Sequence, residues 1–221
     1  MPTPNFSVIA RTIAILTLGY LVISAAEVSD LHLFFKEGHG VEEASLGMLV
    51  GSICLWFWLA GPYRWSEWQI PAVMLLMLAR EMDADKRFTE HGLLKLTTYT
   101  HPAPLADKLI GGAAILFVLY VSYRLIRRNG PLWWARLRMM RLDAVLITIA
   151  FICGVFAKTF DGLGRKLAPM GIDISVQLND LAGQGEEVLE LACYWLIAVA
   201  IARLATPEFR RNVVMDHVPA E

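Results

Sequence analysis

Glu186, Glu187 and Glu190 stand close together at the head of one apolar run, and Glu81, Asp83 and Asp85 stand at the tail of another. On a helix the i, i+4 pairs Glu186/Glu190 and Glu81/Asp85 would each put two carboxylates on one face. Lys158 and Asp161 end a third apolar run, Glu27 and Asp30 end the first, and Glu42 and Glu43 open the second. Like charges gathered at such positions require a cation, a proton or a basic partner.

Three chemistries answer that requirement. The first is salt bridging: Asp83 to Arg87 and Asp161 to Arg165 are i, i+4 pairs in the favourable acid-first order, and Arg80, Lys86, Lys158 and Lys166 could serve the other acids. The second is a divalent metal, because carboxylates together with His32, His39, His91 or His101 supply the oxygen and nitrogen donors used by Zn, Mn, Fe, Mg or Ca. The third is protonation, in which a desolvated carboxyl such as Glu190 becomes a proton carrier or a general acid and base. In a catalytic reading Glu81, Glu187 and Glu190 are the general base or ligands. Asp161 joins those three glutamates as a metal ligand, and Arg80 and Lys158 bind an anionic headgroup or developing negative charge on the substrate.

The elements that must carry these residues are read from composition. The chain has 221 residues, of which 56% are hydrophobic, and a mean hydropathy of +0.49, well above the soluble range. Long apolar runs alternate with short charged connections. A bilayer crossing needs roughly 20 helical residues, and six runs approach this, at about 8–27, 43–61, 68–87, 108–126, 142–161 and 186–204. The fold class is therefore all-α, a polytopic transmembrane helical bundle forming a single integral membrane domain over residues 1–221. The first 26 residues, with Arg11, an apolar stretch and Ser24-Ala25-Ala26 before Glu27, have the outline of a signal peptide and are read as a retained span.

The connection from Arg124 to Arg141 holds six arginines and no acid, which marks it as cytoplasmic and puts both termini on the same side. Basic residues as a whole divide almost evenly, eleven inside against nine outside, so the orientation rests on that connection. Acids divide five inside against sixteen outside. The Trp133-Trp134 pair among the arginines suits a short segment lying among anionic headgroups. Among the outer connections, residues 97–104 suggest a lid and residues 163–170 a headgroup contact, each set against an ordinary irregular loop. The run at 68–87 is unusual, since only Ile70 to Ala79 is purely apolar, so a full crossing draws Arg80, Glu81, Asp83 and Asp85 into the outer part of the helix, within the membrane. Gly47 and Gly51 form a GxxxG that admits close helix packing within the chain or between copies.

Cys54, Cys153 and Cys193 sit singly in apolar runs and read as small core residues. No HExxH, GxSxG or Walker sequence occurs, nor intramembrane histidines at haem spacing. Three function classes remain. The leading one is a bacterial inner-membrane enzyme with a carboxylate-rich pocket facing the periplasm, hydrolysing or transferring groups on a lipid-like substrate, with a divalent metal as the cofactor to test for. The second is a cation- or proton-coupled transporter or channel, and the third an accessory subunit with a structural salt-bridge cluster. Membrane lipid is the expected partner, with a second copy or a partner subunit beside it, and nucleic acid is not.

Overall fold

The computed structural model describes residues 5–28, 34–35, 39–84 and 104–204. The described residues form helices and turns without strands, in two compact units: residues 1–61 with 140–221, and residues 62–139.

The first unit is built from α1 (Phe6–Glu27), α2 (Gly40–Leu59), α6 (Leu142–Phe160), the short α7 (Leu163–Leu167) and α8 (Val176–Leu204). Asn5 starts α1 by accepting from the Ser7 N–H at 3.0 Å, supplying one of the acceptors a helix start lacks. α8 runs along α6 and α2 and also touches α1. The packing faces are legible as helical stripes: Val41, Ser45, Leu49, Ser52, Trp56 and Leu59 on α2, and Ile9, Ile13 and Thr17 on α1. Ala144, Ala150 and Ala157 on α6 and Ala198, Ala200 and Ala202 on α8 are buried. Small residues of this kind allow close approach where lipid tails leave no hydrophobic drive between helices. At Gly40 the approach is closest, since a Cβ there would stand 2.5 Å from Ser24 Oγ and 2.6 Å from the Phe34 ring.

Hydroxyls on the apolar helices bond to their own backbone. Thr17 Oγ1 donates to Ile13 O, Thr148 Oγ1 to Ala144 O and Ser52 Oγ to Met48 O, at 2.8, 2.8 and 2.6 Å. The opposite faces are apolar and open, with Ile15 69% and Phe151 72% exposed. Water would solvate such surfaces poorly, and a bilayer solvates them well.

The second unit contains α3 (Tyr63–Ser66), α4 (Gln69–Glu81) and α5 (Leu105–Arg138), with α4 packed on α5. Among the described residues α1, α2, α5 and α6 are long and apolar enough to cross a membrane. These four helices fit an integral membrane protein; the other two expected crossings take a different form. α4 has 13 residues, about 20 Å at 1.5 Å per residue, and stops at Glu81 before Asp83 turns to φ 46°. The expected extension through Asp83 in the same helix is thus absent, and Asp85, Lys86 and Arg87 lie outside the described residues.

α8 has 29 residues and starts at Val176, ten before the expected span, so Glu186, Glu187 and Glu190 lie inside the helix and not at its head. Two connections are also more regular than expected. The arginine segment continues α5 to Arg138 through Pro131, and residues 163–170 form α7 and a single turn of 3-10 helix. Pro131 removes one helical N–H bond but stands on the exposed side, where water can satisfy the freed carbonyl.

Candidate functional site

In the first unit the end of α6 meets the middle of α8. Lys158, in the last turn of α6, donates to Asp161 Oδ2 at 2.9 Å. Its Nζ also lies 3.7 Å from Glu186 Oε1 and 3.9 Å from Glu190 Oε1, the i, i+4 pair of α8. Glu190 is buried, with 8% of its side chain exposed, whereas the Lys158 side chain is 46% exposed. One ammonium thus reaches from the rim of the cluster towards a carboxylate inside it.

The turn after α6 completes the arrangement. Gly162 adopts φ 56°, a left-handed conformation that glycine takes without steric cost, and reverses the chain into α7. Arg165 then stands 3.8 Å from Asp161, and Lys166 Nζ donates to the Lys158 carbonyl at 2.6 Å. That cation satisfies one of the last carbonyls of α6 and complements its negative dipole end. The Gly164 N–H donates to Asn179 Oδ1 at 3.0 Å, which ties α7 to the first turns of α8. Gly185 leaves room on α8 for Phe160, whose ring would stand 3.3 Å from a Cβ there. The hydrogen bond from Lys158 is the main cause holding the Asp161 carboxyl below its ordinary value, and nearby Lys166 and Arg165 act in the same direction.

The expected site residues therefore divide. Asp161, Lys158 and Glu190 come together, with Glu186 as the fourth member; Glu187 follows on α8, about 100° round the helix from Glu186. Arg80 and Glu81 belong to the other unit, where Arg80 Nη2 stands 3.4 Å from Glu81 Oε1 at the end of α4. The expected Asp161–Arg165 pair forms. Of the histidines considered as ligands, His39 precedes α2, and His32, His91 and His101 lie outside the described residues. Among the described residues no group of three or more His, Cys, Asp or Glu is arranged to hold a metal ion. Within the first unit Asp161, Glu186 and Glu190 each have a carboxylate oxygen 2.9 to 3.9 Å from the Lys158 ammonium.

The second unit holds a polar network that the acidic pattern did not reveal. Gln69, wholly buried at the head of α4, donates through Nε2 to Glu67 Oε2 at 2.6 Å and to Asn129 Oδ1 at 2.9 Å. Its Oε1 accepts from Arg124 Nε at 3.0 Å, so both ends of the amide are satisfied. Arg124 Nη2 also donates to the Ser66 carbonyl at 2.9 Å, and its guanidinium lies 5.5 Å from the Trp68 ring centroid. Arg128 reaches Glu67 Oε1 at 2.6 Å. Arg127 donates to the Tyr123 hydroxyl at 2.6 Å and lies 5.8 Å from that ring's centroid.

Tyr120, Tyr123, Arg124, Arg127 and Arg128 line a half-open surface cavity of about 360 Å³ on α5. A sequence signal for it exists, because these residues recur at i, i+3, i+4, i+7 and i+8 and must share one face of a helix. Treating Arg124 to Arg141 as a connection concealed that face. Comparison with known proteins adds no relative: no family model, no curated protein and no solved structure matches the chain.

Proposed function

We propose that the chain is a polytopic integral membrane subunit in which the Lys158 cluster is an ion-pair clamp joining α6, α7 and α8. In this reading it is a single membrane domain working with a second copy or a partner subunit. The observation that carries it is the convergence of Asp161, Glu186 and Glu190 on one Lys158 ammonium. Lys158 and Arg165 supply countercharge to these carboxylates, and Lys166 adds a further positive charge beside Asp161. The apolar C-terminal part of α8 would serve as the sixth crossing, and α4, at about 20 Å shorter than the hydrocarbon core, as the third only where the bilayer thins around it. The arginine end of α5 and both termini then lie in the cytoplasm, and the clamp faces outward, into the periplasm of a bacterial inner membrane.

A second reading retains the lipid-directed membrane enzyme, with Glu190 as the buried base and the Lys158 ammonium stabilising negative charge on substrate. It is supported by the exposure gradient within the cluster, from a half-exposed ammonium to a buried carboxylate. Elemental analysis of the detergent-purified protein beside Glu190→Gln, with no metal added, tests the clamp, and a lipid-hydrolysis assay of the same pair tests the second reading, which expects turnover by wild type that Glu190→Gln loses. The clamp expects no stoichiometric metal in either sample. One metal per chain, lost in the variant, would overturn it and establish a metal-dependent site in its place.

A further inference from the structure

The cavity on α5 has the features of an anion site, and its position on the helix says which anion would reach it. Three guanidinium groups fall within little more than one turn, while the described network supplies one carboxylate, Glu67, already bonded to Arg128 and Gln69. Arg124 is committed to Gln69, the Ser66 carbonyl and Trp68. Arg127 differs from both, since among the described residues its contacts are the Tyr123 hydroxyl and ring, neither of which carries countercharge. That contact holds the guanidinium against α5 with donor capacity remaining, and a planar fork of donors suits phosphate oxygens.

Position supplies the second argument. Lys108 and Arg124 bracket an apolar stretch of α5 about 24 Å long by helical rise, which suffices for a hydrocarbon core of roughly 30 Å once both long side chains extend outward to the interfaces. Leu116 and Leu119, on the turns before the cavity, are 69% and 60% exposed. Tyr120 and Tyr123 then stand where aromatic side chains collect at a membrane interface, and the arginines begin at the level of the phosphates. A ligand with phosphate in the cavity and an apolar tail along Leu116 and Leu119 would satisfy both halves of this surface.

The geometry points to a binding site for a phosphate group, that of an anionic membrane lipid, formed by Tyr120, Tyr123, Arg124, Arg127 and Arg128, with Arg127 supplying the uncommitted charge. It stands independently of the reading of the Lys158 cluster.

The test is native mass spectrometry of the full chain in detergent, titrated with phosphatidylglycerol or with diacylglycerol of the same acyl chains. Wild type should bind phosphatidylglycerol at least about tenfold more tightly, and Arg127→Gln should lose about tenfold, the effect of removing one charge-assisted contact. Arg138→Gln, which removes an arginine further along α5 lying 5.8 Å from the Trp134 ring centroid, should bind as wild type does. Unchanged helicity in Arg127→Gln by circular dichroism confirms that the loss is local, as the exposed position of Arg127 leads one to expect. Inorganic phosphate added as competitor distinguishes the sources of the group: displacement at millimolar concentration means the free anion suffices, and no displacement means the amphiphile is required. Equal binding of the two lipids, or wild-type binding by Arg127→Gln, would overturn the proposal.

Discussion

The Lys158 cluster and the Gln69 network solve the same problem, polar groups on membrane-associated helices, by different means. At Lys158 three carboxylates surround one ammonium, with a single contact at 2.9 Å and two others at 3.7 and 3.9 Å. At Gln69 a neutral amide is enclosed completely and each contact is a hydrogen bond of 2.6 to 3.0 Å. Charge attracts over several ångströms and tolerates loose geometry, whereas an amide must have its partners in place or lose its hydration without return. The clamp should therefore be adjustable and sensitive to solvent conditions, and the network rigid and sensitive to shape.

The largest effect that would break this comparison is expected at Gln69. Gln69→Leu nearly preserves volume but leaves Arg124 Nε, Asn129 Oδ1 and one oxygen of Glu67 without their amide partner. Each lost partner in a buried site costs about 1–3 kcal/mol, so a total of about 3 kcal/mol is expected after some rearrangement. A melt in mild detergent followed by circular dichroism should show a fall of several degrees. A melting temperature within one degree of wild type would mean that the network is as forgiving as the ion pairs.

Lys158→Met should have a middling effect. The methionine keeps most of the apolar stem but leaves buried Glu190 and half-buried Glu186 as neighbouring like charges. Because Lys158 is 46% exposed, solvent already screens much of the attraction, and a loss of about 1 kcal/mol is expected where a fully buried pair would lose more. Lys158→Arg should recover much of it, since a guanidinium can reach the same carboxylates. If Met and Arg variants melt alike, the charge at this position contributes little and the clamp reading loses its basis.

The two regions also differ in how far the sequence foretold them. Apolar runs disclosed α1, α2 and α6 to within a few residues, because a helix solvated by lipid announces itself through composition alone. The meeting of Lys158, Asp161 and Glu190 was legible for a related reason, since acids at several helix ends must find countercharge. What composition could not reveal was helix continuation. The segment from Arg124 to Arg141 reads as a connection, yet α5 continues through it to Arg138; the polar residues from Gln177 to Gly185 read as a connection, yet they are the first turns of α8. Gln69 was hidden because it lies beside Trp68 at the edge of a short apolar run and carries no charge. Its importance comes from partners such as Arg124 and Asn129, far along the chain, which no local pattern could supply.

The smallest expected effect is the acid response of Asp161, and it separates the two regions by chemistry as well as by size. The carboxyl is held below its ordinary value chiefly by the Lys158 hydrogen bond, so the folded state binds its proton less readily than the unfolded chain does. The resulting stabilisation is fully present above the unfolded value of about 3.8 and is lost as pH falls through the lower folded value. Asp161 is partly exposed, so the contribution is at most a few tenths of a kcal/mol. Melting temperature measured from pH 6 down to pH 3 should fall slightly less in Asp161→Asn than in wild type, because the variant has no carboxyl at this position to take up a proton. In a Gln69→Leu background the same difference between chains with and without the Asp161→Asn substitution should persist, because an amide does not titrate over this range and the two regions have no charge in common. Identical acid profiles for wild type and Asp161→Asn would mean that the Lys158–Asp161 contact contributes nothing to the folded state. The clamp would then have to rest on the two α8 glutamates alone.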